Sequence, residues 1–183
     1  MQRYLLLVVG TILGLVADQA PKIWAVAALS MRPEGALPED AAHIVTRTHV
    51  VFEWLNMRLA GNKGAAWGLF RSLPEAYRIP FFVAIGVVAV VIIVSLYRKA
   101  DHQPLLRWAL TFVLGGAIGN LIDRVRYGFV VDFIDAHWAS AHWPTFNVAD
   151  IGITVGVGLL IIDMLLQGRK AADAAEDPAR AAD

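Results

Sequence analysis

Four long apolar stretches, at about residues 4–29, 79–97, 105–124 and 147–166, set the terms on which this chain can fold. Each approaches the roughly 20 residues with which a helix crosses a hydrocarbon core of about 30 Å. With 57% hydrophobic and 17% charged residues among 183, the chain fits one compact membrane domain and not a soluble globule. The expected fold is therefore a mainly α membrane protein of four transmembrane helices. Pro33, Pro38 and Pro74 break the region between the first two spans, and His49 to Leu55 alternates as a strand does. That first outer loop, about 30–78, predicts a small strand-rich extracytoplasmic cap. A second outer loop is expected at about 125–146, and residues 168–183 read as a disordered cytoplasmic tail.

A cleaved signal peptide competes for the first stretch, with Arg3, an apolar run from Leu5 to Ala17 and Ala25-Val26-Ala27 as a cleavage site. Asp18 and Lys22, at i, i+4 spacing, interrupt that pattern and favour a retained span. Lys and Arg near the span ends favour cytoplasmic termini and a cytoplasmic loop from Arg98 to Arg107. The GxxxG pairs Gly10/Gly14, Gly115/Gly119 and Gly152/Gly156 predict that spans one, three and four form the packed core, with span two peripheral.

Polar residues gather in the run from Gly115 to Asp150. Asn120 and Arg124 close the third span, Asn147 and Asp150 open the fourth, and Asp18 falls roughly 21 Å along the first at about 1.5 Å per residue. With alternating spans, all lie at one membrane face. Each has a plain structural alternative: Asp18 with Lys22 as a self-neutralising ion pair, Asn120 and Arg124 as a helix end, Asn147 with Asp150 as a capping box. Asp123, between Asn120 and two arginines, reads as salt-bridged to Arg124 or Arg126, and Asp135 as solvated. Asp132, enclosed by Val130, Val131, Phe133 and Ile134, stands where burial disfavours a charged carboxyl. Two close carboxylates sharing one proton allow one to activate water while the other protonates a carbonyl or leaving amine.

Other chemistries lack their residues. There is no cysteine, no HExxH, and none of the four serines sits in a glycine-flanked elbow. His137 and His142 lack metal-ligand spacing and read as part of an aromatic interfacial belt. Zero net charge without a basic patch gives nucleic acid no footprint. A proton- or ion-coupled transporter would also use intramembrane charges, but mid-membrane acids and an internal repeat are missing. A structural adaptor gives no reason for two enclosed carboxylates.

Five motifs in order then resemble those of the lipoprotein signal peptidases: DQAPK at Asp18 to Lys22, NKGAAWG at Asn62 to Gly68, GGAIGNLIDR at Gly115 to Arg124, GFVVDFID at Gly128 to Asp135, and FNVAD at Phe146 to Asp150. The resemblance implies an aspartic endopeptidase of the bacterial inner membrane that acts on diacylglyceryl-modified prolipoproteins. It implies a catalytic pair at Asp132 and Asp150, with Asp18, Lys22, Asn62, Asn120, Arg124 and Asn147 binding substrate or supporting the pair. It further implies no metal or organic cofactor and inhibition by globomycin-like cyclic peptides; membrane lipid as a partner and a monomer are expected of the chain itself. Pro21 stands where the family usually has Ser or Thr, a kink that would displace Lys22, and Trp67 stands where Phe is usual.

Overall fold

A computed structural model describes the backbone of residues 4–32, 36–65, 69–70 and 72–176, with side chains to residue 169. Trp67 and the Ala66 to Gly68 half of its motif lie outside the described residues, as does Pro33. Among the described residues, four helices are long and apolar enough to cross a membrane: α1 (Leu5–Leu29), α2 (Glu75–Lys99), α3 (Pro104–Tyr127) and α4 (Val148–Glu176). α4 thus runs as helix past the tail boundary expected at 168. α3 begins with Pro104 in its first turn, where the missing N–H costs nothing. It ends at Gly128, whose φ of 76° is the left-handed cap that glycine adopts freely.

α3 is the hub, packing against α1, α2 and α4. The small residues set these contacts: Gly14 and Gly115 meet Cα to Cα across α1 and α3, and Gly156 of α4 lies against the backbone of Ala109 and Val113. α2 rests on α3 through Gly86 and Leu121, and in its most apolar window only 6% of residues are buried, against 39% for α3. α1 and α4 each pack on α3 and touch each other, as expected of a core of spans one, three and four. But α2 also packs on α3, buries Ile93 and Tyr97, and is little more exposed than α4, whose window is 11% buried. Leu7, Ile93, Tyr97, Leu110 and Leu114 close the helices together at one end.

At the other end sits an antiparallel sheet, β1 (His49–Phe52), β2 (Leu55–Asn62), β3 (Val130–Trp138) and β4 (Ala141–His142), in that spatial order. The strand-rich cap is therefore not built from the first outer loop alone. The second loop supplies half of the strands, because Val130 to Ala136 pairs with β2, and Phe129, Val131 and Phe133 are buried in one cluster with Ala25 and Leu29 of α1. Asn62 is the last residue of β2 and pairs with Val130.

Within β3, the N–H groups of Phe133 and Ile134 both donate to the Phe146 carbonyl, at 3.1 and 2.9 Å. Two residues facing one make a bulge, which breaks the alternation of the strand. β2 carries its own irregularity between Met57 and Ala60, around Arg58.

Two glycines of α4 test the packing by contrast. Gly156→Ala drives a methyl group into the α3 backbone and should lower stability by roughly 1–3 kcal/mol. Gly158→Ala, with nothing within 4 Å, should be neutral or stabilising through helix propensity. Thermal unfolding in detergent measures both, and equal melting temperatures for the two variants would contradict this packing.

Candidate active site

The polar residues expected to converge do so, and hydrogen bonds give each its place. Asn147 precedes α4 and Asp150 lies in its first turn. The Asp150 N–H donates to Asn147 Oδ1 at 2.9 Å, and the Asn147 N–H donates to Asp150 Oδ2 at 3.3 Å, the reciprocal pattern of a capping box. The cap also serves as a connector. Asn147 Nδ2 reaches Asp132 Oδ1 at 2.7 Å, Asn120 Oδ1 at 3.2 Å and the Val131 carbonyl at 3.3 Å. Asn120 Nδ2 in turn donates to Asp150 Oδ1 at 2.9 Å. Two amides thus bridge two carboxylates that arrive from a strand and a helix.

α1 anchors this group from below. Lys22, 3% exposed, places Nζ 2.8 Å from Asp18 and 2.8 Å from Asp123, and 3.3 Å from Asn120 Oδ1. The ion pair at i, i+4 therefore exists and is also part of the site. Asp18 accepts the Ala149 N–H of α4 at 2.9 Å through its other oxygen, which ties α1 to the positive end of that helix. Gly119 leaves the room for the Asp18 carboxylate, since a Cβ there would lie 2.5 Å from Oδ2. α1 runs unbroken through Pro21, and Lys22 meets its partners despite it.

Two expectations need correction. Asp123 pairs with Lys22, not with Arg124 or Arg126, and accepts hydrogen bonds from Gln19 at 3.0 Å and the Val131 N–H at 3.0 Å. Residues on a helix that are neighbours in sequence point apart, so Asp123 faces α1 while Arg124 turns away. Asp135 is not solvated: it is 1% exposed and bound by Arg58 and His142, which the bulged strands bring to it. His142 belongs to that cluster, stacked on His137 at 5.0 Å.

Arg124 donates to the Gly64 carbonyl at 2.8 Å and lies over the Phe82 ring at 4.7 Å, fastening the segment after β2 and α2 to α3. Asn62 accepts the Gly64 N–H at 3.0 Å and lines the same cavity as Asp132. Gln19, Phe82 and Arg58 were not singled out in the sequence. Gln19 had a signal, a polar side chain beside Asp18 in an apolar span, whereas Phe82 and Arg58 acquire their meaning only in three dimensions.

Asp132 is 1% exposed. Burial, with the Asp150 charge added, pushes its carboxyl up to about 8, although the Asn147 hydrogen bond, the Lys22 charge and Asn62 oppose the rise. Asp132 and Asp150 both line one open cavity of about 1140 Å³, which extends down between α2 and α4. Of two carboxyls lining one cavity, one favoured in its protonated form can donate to a carbonyl oxygen while the other takes a proton from water.

The model of the family described as Signal peptidase (SPase) II matches residues 10–166. The chain belongs to the signal peptidase II family. A lipoprotein signal peptidase of Geobacter metallireducens is 39% identical over 169 residues, 92% of this chain and 95% of that one. Another, from Syntrophotalea carbinolica, is 52% identical over 114 residues, 62% of this chain and 70% of that one. A solved bacterial membrane enzyme is similar in fold at a TM-score of 0.71 and 29% identity, over 88% of each chain. As a signal peptidase II family member the chain is a peptidase of a bacterial membrane, and every polar residue described above lies within the span matched by the family.

The raised Asp132 carboxyl carries a stability signature. A free carboxyl titrates near 3.8, while the folded one holds its proton to about 8, so the folded state binds the extra proton between those limits. Stability from this group is complete below about 4 and is lost as pH rises toward 8. Melting curves between pH 5 and 9 should show the wild type declining relative to Asp132→Asn; parallel curves would refute the assignment.

Proposed function

We propose that the protein is an aspartic endopeptidase that removes the signal peptide from diacylglyceryl-modified prolipoproteins, cutting before the lipidated cysteine. The observation that carries this reading is the pairing of Asp132 and Asp150 through Asn147 and Asn120 at one cavity. In the proposed reaction Asp150 is the ionised partner and Asp132 holds the shared proton. Water attacks the scissile carbonyl carbon, its proton passes to the carboxylate, and the protonated carboxyl donates to the carbonyl oxygen. Collapse of the tetrahedral diol breaks the C–N bond, the amine leaves with the proton taken from water, and the diol returns the other to the dyad.

The surrounding residues have matching roles. Asn120 and Asn147 orient the pair, Asp18 and Lys22 hold the helices that carry it, and Arg124 with Asn62 secures the segment over the cavity. The substrate would enter sideways from the outer leaflet, its acyl chains staying in lipid while the scissile bond reaches the carboxylates. The apolar walls that Ile85, Ala89, Ile153 and Val155 give the cavity support this entry. Arg98 and Lys99, which end α2, support a cytoplasmic face there, and hence an active site at the outer face of the inner membrane with cytoplasmic termini. A globomycin-like cyclic peptide would occupy the same cavity, and the protein would act as a monomer.

Purified protein and a lipidated prolipoprotein peptide test the proposal. The wild type should cleave on the N-terminal side of the lipidated cysteine, while Asp132→Asn and Asp150→Asn each lose at least about 100-fold in rate, the usual lower range for a general acid or base. Cleavage by either variant within about tenfold of the wild type would remove that carboxylate from the dyad. The wild-type rate should also fall as pH rises through about 8, where Asp132 gives up its proton.

A further inference from the structure

The cavity that holds Asp132 and Asp150 has two unlike ends. One lies between helices and is lined by apolar side chains such as Ile85, Ala89 and Val155; at the other stand Arg58, His142 and Thr145, contributed by the sheet and the link to α4. Given the function proposed above, on which this inference rests, the apolar end suits the signal segment that remains in the membrane. The chain beyond the cleaved bond must then leave past Arg58 and His142.

Those two side chains are fixed by a buried carboxylate that the dyad does not use. Asp135 is 1% exposed; its Oδ2 lies 2.9 Å from Arg58 Nε and its Oδ1 2.9 Å from His142 Nδ1. Burial alone would raise Asp135, but the His142 hydrogen bond and the Arg58 charge outweigh it and hold the carboxyl below its usual range. An ionised carboxylate only accepts, so His142 Nδ1 carries a proton. In the neutral tautomer this leaves Nε2 as an acceptor. Stacking on His137, itself 3.0 Å from Asn56, holds the ring in plane. Arg58 keeps both terminal nitrogens as donors, and among the described residues no hydrogen bond engages them. Both side chains stay partly exposed, at 40% for Arg58 and 44% for His142. A donor and an acceptor, side by side on a rigid base, match the alternating C=O and N–H groups of an extended main chain.

We propose that Arg58 and His142, held by Asp135, form a subsite for the peptide main chain beyond the lipidated cysteine, with Arg58 donating to a carbonyl oxygen and His142 Nε2 accepting an amide N–H of the residues that follow it. Asp135 is a positioning residue. Because the subsite reads main chain, it selects for an extended segment and not for particular side chains.

Two lipidated peptides test this, one with four residues after the cysteine and one ending there as a carboxamide. The wild type should favour the longer by about tenfold in kcat/KM, equivalent to about 1.4 kcal/mol and within reach of two net hydrogen bonds. The preference should lie in KM. Arg58→Gln and His142→Phe should each shrink it, and together bring it near unity, while Arg58→Lys restores part of it by returning a cationic donor. A wild type that cleaves both peptides equally well would overturn the subsite and leave the peptidase reading standing. Variants that lose activity on both peptides in the same proportion would assign these residues to folding and overturn it too. A wild type that cleaves neither would overturn the peptidase reading, and the subsite with it.

Discussion

Everything at the polar end of this protein depends on one buried ammonium. Lys22 lies between Asp18 and Asp123 with almost no exposure, and those two carboxylates reach outward to the rest of the fold. Asp18 holds the α4 N-terminus through Ala149, and Asp123 holds β3 through Val131. Three helices and the strand that carries Asp132 therefore share one charge-paired centre. Removing one partner from such a buried group typically costs about 3–5 kcal/mol, because the remaining charge has no water to turn to. That cost is what fixes the relative positions of elements otherwise joined by nonspecific apolar contact.

The paired carboxylates of the candidate site are unlike in surroundings because they sit on unlike elements. Asp150 occupies the first turn of a helix, where it accepts the Asn147 N–H at the helix's N-terminal end. Asp132 sits on a strand pressed into the apolar cluster beneath the sheet, where charge is disfavoured. Asn147 touches both and Asn120 holds Asp150 and Asn147, so two amides set how the pair sits, and one of them also starts α4. The bulge at Phe133 and Ile134 then adds a second consequence, since it lets Asp132 and the ligands of Asp135 serve the same cavity.

Much of this was legible in the residues themselves. Spans announce themselves by length and apolarity, and the small residues on spans one, three and four identified the packed helices, because close approach needs their lack of bulk. The apolar neighbours of Asp132 and the Asn147 to Asp150 spacing marked the carboxylates and the cap. The sheet was only half legible: β3 hides in an apolar run that resembles part of a span, and its partner strand lies some seventy residues away. For the same reason the pairing of Asp123 with Lys22 and of Asp135 with Arg58 could not be read, since each depends on which way a helix or a bulged strand turns. Local spacing suggested Arg124 and solvent instead, and tertiary contact decided otherwise.

The central claim is that the two carboxylates share one proton, held at neutral pH by Asp132. Infrared difference spectroscopy of the folded protein in detergent observes it directly. The account predicts a protonated-carboxyl C=O band at pH 7 that is absent from Asp132→Asn and disappears from the wild type as pH rises through about 8. A spectrum at pH 7 with both carboxyls ionised, unchanged by that substitution, would contradict it.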